Sequence, residues 1–133
     1  EILDPDDADY ASEESFAMSA NIERALERFN ILGVDIKSPS EVLDYLYRYP
    51  EIVELAQYAA DLVVKHFGRD LKLSLDMYQD PEAPIERLTL YARLSSYDKN
   101  TIKIIKQIRN DYYQSFPITK GRFLLTTDFR VLR

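Results

Sequence analysis

The feature that most restricts what this chain can fold into is a change of hydrophobic period at Leu71. From there Leu71, Leu73, Leu75 and Met77 alternate with Lys72, Ser74, Asp76 and Tyr78. After Asp80-Pro81-Glu82-Ala83-Pro84 the same period returns, with Leu88, Leu90, Ala92 and Leu94 alternating with Arg87, Thr89, Tyr91 and Arg93. Successive side chains on a strand point to opposite faces, so this pattern predicts a β-hairpin with one buried face and a loop of about five residues.

The remaining apolar residues follow the helical period. Met18, Ile22, Ala25, Leu26 and Phe29 make one stripe, which predicts a helix from about Glu13 to Asn30 with Ser12 as its N-cap and Gly33 as its stop. Ser38-Pro39-Ser40-Glu41 reads as a capping box with proline at the first helical position, opening a helix that buries Val42, Leu43 and Leu46 and stops at Tyr49. Pro50 opens a third helix with Ile52, Leu55, Ala56, Ala59, Ala60, Val63 and Phe67 on one face, closed by Gly68. Asp98 caps a fourth, over about 99–115, with Ile102, Ile105, Ile108, Tyr112 and Phe116 on its apolar side. Residues 123–127 read as a third strand. The expected order is ααα-ββ-α-β, an α+β domain over residues 12–133 with a small, mainly antiparallel sheet.

Residues 1–11 offer few large apolar side chains and read as a mobile acidic arm. Charge is unevenly spread. Residues 1–14 hold seven acids and no base, whereas from Lys99 onward eight bases face two acids. The chain begins with Glu1 and not methionine, as a processed chain or a piece of a longer one would.

Several chemistries are excluded by residue type. With no cysteine there is no thiol catalysis and no cysteine-ligated metal, and a single histidine rules out a His-rich zinc site. His66 lies near the end of the third helix, where an imidazolium is favoured by the dipole, and nothing near it in sequence completes a catalytic triad. A nuclease of the restriction-endonuclease-like kind needs an acid on one strand and acid-x-Lys on the next. Asp76 and Glu86 supply acids, but the position two beyond Glu86 is Leu88. A nucleotidyltransferase needs acids two apart on one strand, and Asp76 is followed at that spacing by Tyr78. Three glycines cannot make a glycine-rich phosphate loop. The helical pair over 39–67 suggests helix-turn-helix, yet its second helix would present Glu51, Glu54 and Asp61 to phosphates. No apolar run reaches the roughly 20 residues of a membrane span and no signal-peptide pattern is read. The expectation is a soluble, cytoplasmic domain with no cofactor, no metal and no membrane partner.

Two surfaces stand out. At about 100° per residue, Lys99, Lys103, Lys106, Asn110 and Tyr113 fall within one sector of about 80° opposite Ile105 and Ile108, and that sector contains no acid. The hairpin's outward face presents Lys72, Tyr78, Arg87, Tyr91 and Arg93, a mixture of bases and aromatics that can stack single-stranded bases or simply pair across strands. The function expected first is a non-catalytic protein-interaction or regulatory domain whose lysine stripe docks an acidic segment, either of a protein partner or of the chain's own residues 1–14. The second is a single-stranded nucleic-acid binder using the sheet face and the basic last third. An enzyme of unrecognised type ranks third, and a homo-oligomer is left open.

Overall fold

The computed structural model describes the backbone of residues 5–127 other than residue 69, and side chains from residue 17 onward. The chain is α+β, with helices α1 (Pro5–Ile31), α2 (Pro39–Arg48), α3 (Glu51–Phe67) and α4 (Lys99–Ser115), and strands β1 (Val34–Ile36), β2 (Leu71–Gln79), β3 (Glu86–Leu94) and β4 (Phe123–Thr126). The four strands form one sheet in the order β1-β2-β3-β4.

The hairpin lies where the alternation places it. β2 and β3 pair antiparallel from Leu71↔Leu94 to Gln79↔Glu86. Leu73, Leu75, Leu88, Leu90 and Ala92 are all buried on the face that meets the helices. The sheet as a whole is mixed and not mainly antiparallel. β1 joins β2 in parallel through Val34↔Leu73 and Ile36↔Leu75, and β4 joins β3 in parallel through Leu88↔Phe123 and Leu90↔Leu125. In each case helices carry the chain back along the sheet, so the next strand re-enters in the same direction: α2 and α3 before β2, α4 before β4. The element order is therefore α-β-αα-ββ-α-β, with one strand more than the alternation discloses.

Two helix starts also differ from expectation. α1 begins at Pro5, so residues 5–11 are helical in backbone and Ser12 lies inside the helix; residues 1–4 of the expected arm lie outside the described residues. Proline at a first helical position followed by Asp6, Asp7 and Asp9 suits the positive end of a helix, and that local preference outweighs the scarcity of apolar side chains. Pro39 opens α2 as expected, but Ser38 adopts φ 44°, ψ 58° and makes no side-chain capping bond, because left-handed backbone there turns its hydroxyl away from the first turn.

The core is a single cluster between the sheet and its helices. Ile22, Ala25 and Phe29 of α1, Val42, Tyr45 and Leu46 of α2, the apolar face of α3 and Ile105, Ile108 and Tyr112 of α4 all contribute. α3 stands at the centre of the helical layer: α1 packs on α3 and β1, and α4 on α3 and β4. The loop after α4 is held by a polar corner. Glu51 Oε1 accepts hydrogen bonds from the amides of Lys120 and Gly121, both at 2.9 Å. The Tyr45 hydroxyl accepts from the Arg122 amide at 2.6 Å and donates to the Arg122 carbonyl at 3.3 Å. Burial alone would raise the Glu51 carboxyl, but the amide hydrogen bonds, Gly121 foremost, outweigh it and hold the group below its ordinary value. β4 is tied to α4 by the Leu125 amide donating to the Tyr112 hydroxyl at 3.1 Å and Arg109 Nε donating to the Leu125 carbonyl at 2.7 Å. No described helix is long and apolar enough to cross a membrane.

Candidate docking groove on the fourth helix

α4 starts from a well-formed cap. Asp98 Oδ1 accepts from the Thr101 amide at 2.8 Å and from its hydroxyl at 3.0 Å, and these two bonds, the amide first, hold the carboxyl below its ordinary range. On the N-terminal side of the cap, the Tyr97 hydroxyl accepts from the Leu94 amide at 3.0 Å, which pins the tyrosine to the end of β3. Tyr97 precedes the cap and Ile102 occupies the fourth helical position, the spacing of a hydrophobic staple. The two residues line one groove of about 610 Å³ together with Asp98, Lys99, Lys103, Lys106, Gln107 and Asn110.

The structure therefore brings Lys99, Lys103, Lys106 and Asn110 to one shallow, wide-open groove and leaves Tyr113 outside it. Tyr113 is 53 % exposed one turn further on, with its ring centroid 4.8 Å from that of Tyr112. Ile102, read from its period as a core residue, is only half-buried and belongs to the groove. Its angular position lies at the edge of the apolar stripe, so the helix rolls it away from the sheet.

The electrostatics of this groove are one-sided. The ion pairs between described residues are Arg28–Asp61, Lys37–Asp35, Arg48–Asp44 and Arg48–Glu86, and none includes Lys99, Lys103 or Lys106. The first turn of α4 carries no acid, so Lys99 and Lys103 add their charge to the positive end of the helix instead of opposing it. Asp98, the single carboxylate on the groove, has one oxygen engaged by the cap. The arrangement is a short apolar floor with a cationic rim.

The sheet face is arranged differently. Register pairs Tyr78 with Arg87 at one end, and Lys72 with Arg93 beside Ser74–Tyr91 at the other, while Asp76–Thr89 separates the two groups. The Arg87 guanidinium lies 4.5 Å above the Tyr78 ring, covering a face that a base would need for stacking. Lys72, Tyr91 and Arg93 border a depression of about 60 Å³ that also contains Asp35, whose carboxylate contacts Lys37 at 2.6 Å. Bases and tyrosines thus pair across strands in two clusters and do not interleave along a continuous platform.

Other groups are more readily placed. His66 is exposed in the last turn of α3. A groove of about 460 Å³ between α1 and α3 is lined by Met18, Ile22, Pro50 and Val53 with Asn21, Arg24, Glu54 and Gln57, and it gathers no single charge. Among the described residues no group of acids and histidine could hold a metal ion. Sequence reasoning found the lysine stripe but missed Tyr97, Gln107 and the role of Ile102. The staple spacing across Asp98 was the signal available for the first and last of these. No family model, curated protein or solved structure matches the chain.

Proposed function

We propose that this chain is a non-catalytic interaction domain of the cytoplasm whose α4 groove docks an acidic segment of a protein partner. The observation that carries the reading is the cluster of Lys99, Lys103 and Lys106, without ion pairs to described residues, over the apolar floor of Ile102 and Tyr97 at the positive end of α4. Three cations over apolar surface suit a ligand with spaced carboxylates and one apolar side chain. A bare polyanion would leave the floor unused. Each exposed ion pair contributes about 0.2–1 kcal/mol, so three acting together amount to roughly 0.6–3 kcal/mol, or about three- to 150-fold in affinity.

The test is fluorescence anisotropy with a labelled acidic peptide containing one aromatic residue, titrated with the wild type and with the Lys103→Glu/Lys106→Glu variant. Both side chains are exposed, opposite buried Ile105 and Ile108, so the variant should fold. Affinity should fall at least about threefold, and its dependence on salt should flatten. Equal affinity of the two proteins at low ionic strength would refute the proposal.

A further inference from the structure

We infer that the acidic segment this groove takes is residues 1–14 of a second copy of the chain, joined head to tail. The inference rests on the docking reading above and adds the identity of the occupant.

Charge supplies the first argument. Residues 1–14 carry seven acids and no base, and the groove carries three lysines without ion pairs among the described residues. Geometry supplies the second. Arg28 of α1 pairs with Asp61 of α3 at 2.8 Å, and residues 17–24 flank residues 50–57, so the two helices run in the same direction with a constant offset. The backbone of α1 continues as helix from residue 17 back to Pro5, and α3 begins only at Glu51. At about 1.5 Å per residue the backbone of the first twelve residues of α1 extends about 18 Å past the start of α3.

The groove lies elsewhere. α3 stands between α1 and α4, and α4 meets α3 through its last turns, where Tyr58 hydrogen-bonds Asp111 at 2.6 Å and its ring meets Phe116. Lys99 and Lys103 are at the opposite end of α4, about 12–18 Å further along the helix axis. The backbone of α1, followed back to Pro5, therefore runs away from the chain's own groove, and the groove of another molecule is free of that constraint. Acidic end and basic groove are different surfaces, so the contact is heterologous and propagates as a chain unless it closes into a ring.

Sedimentation velocity on the intact chain tests this, at about 0.05 M and about 0.5 M salt, where the Debye length falls from roughly 14 to 4 Å. Wild type should show an average mass above 15.6 kDa that rises with protein concentration at low salt and returns to 15.6 kDa at high salt. Lys103→Glu/Lys106→Glu, which keeps the acidic end, and Asp4→Asn/Asp6→Asn/Asp7→Asn/Asp9→Asn/Glu13→Gln/Glu14→Gln, which keeps the groove, should each be monomeric. Mixed in equal amounts they should give a complex of twice the monomer mass, since one intact end remains on each. Lys106→Gln replaces the double variant if circular dichroism shows that it has not folded. A monomeric wild type whose groove binds a free peptide of residues 1–14, or only the aromatic-containing acidic peptide above, would overturn the self-association and leave the docking reading intact; binding of neither peptide would overturn both. Self-association that persists in either variant would place the contact on another surface and also overturn the inference.

Discussion

Alanine at Gly121 should destabilise the protein although its backbone does not require glycine. A Cβ at this position would lie 2.7 Å from Ile52 Cγ1 and 2.8 Å from both Cβ and Cγ of Tyr49. These atoms sit close to backbone: Tyr49 caps α2 and Ile52 is fully buried in the first turn of α3. The loop cannot withdraw, because its amides at 120 and 121 are held by Glu51 and that at 122 by Tyr45. Inserting one methyl into such a site costs about 1–3 kcal/mol, which for a domain of this size is a fall in thermal midpoint of roughly 3–12 °C. The assay is thermal and denaturant unfolding of Gly121→Ala, with an unchanged denaturant slope expected. A double-mutant cycle with Ile52→Ala should give less than the sum of the single effects, because the smaller side chain makes room for the methyl. A Gly121→Ala midpoint within a degree of wild type would refute the close approach of loop, α2 and α3.

Thr89 is 1 % exposed and its hydroxyl has no hydrogen-bond partner among the described residues, so Thr89→Val should raise stability by about 1 kcal/mol in denaturant unfolding. A loss of that size would mean that the hydroxyl is bonded. Asp98→Ala removes the cap of α4 and should lower the thermal midpoint by a few degrees, with hydrogen exchange accelerated in the first turn of that helix alone. The folded-state carboxyls of Asp98 and Glu51 lie below their ordinary values of 3.8 and 4.5, so their contribution is complete above those values and lost as pH falls through the lower folded ones. The thermal midpoint should accordingly drop below about pH 4, and an Asp98→Asn/Glu51→Gln variant should show a shallower drop. An identical slope in that variant would remove these two groups from the acid transition.

What could be read in advance was whatever depends on local period. Leu88, Leu90 and Ala92 point inward because strands alternate, and the α3 stripe is buried because its residues recur every three or four positions. β1 escaped because three residues are too few for a period, and its place is set by pairing with β2, some forty residues away. Ser38 shows that a capping motif can mark a helix start correctly while the backbone forecloses the capping bond itself. The lysine stripe was visible because angular position on a helix follows from spacing. The groove was not, since part of its floor comes from Tyr97, ahead of the helix, and is fixed by a hydrogen bond to the end of β3.

The most direct test of the docking account is a map of where an acidic ligand touches the protein. Amide chemical shifts of the isotope-labelled chain should be followed during titration with a peptide of residues 1–14, and separately with a single-stranded oligonucleotide. The account predicts that the peptide shifts amides from Tyr97 to Asn110 and leaves Lys72, Tyr78, Arg87, Tyr91 and Arg93 unmoved, with the shifts lost in Lys103→Glu/Lys106→Glu. Shifts centred on the sheet face, driven by the oligonucleotide and insensitive to that variant, would contradict it.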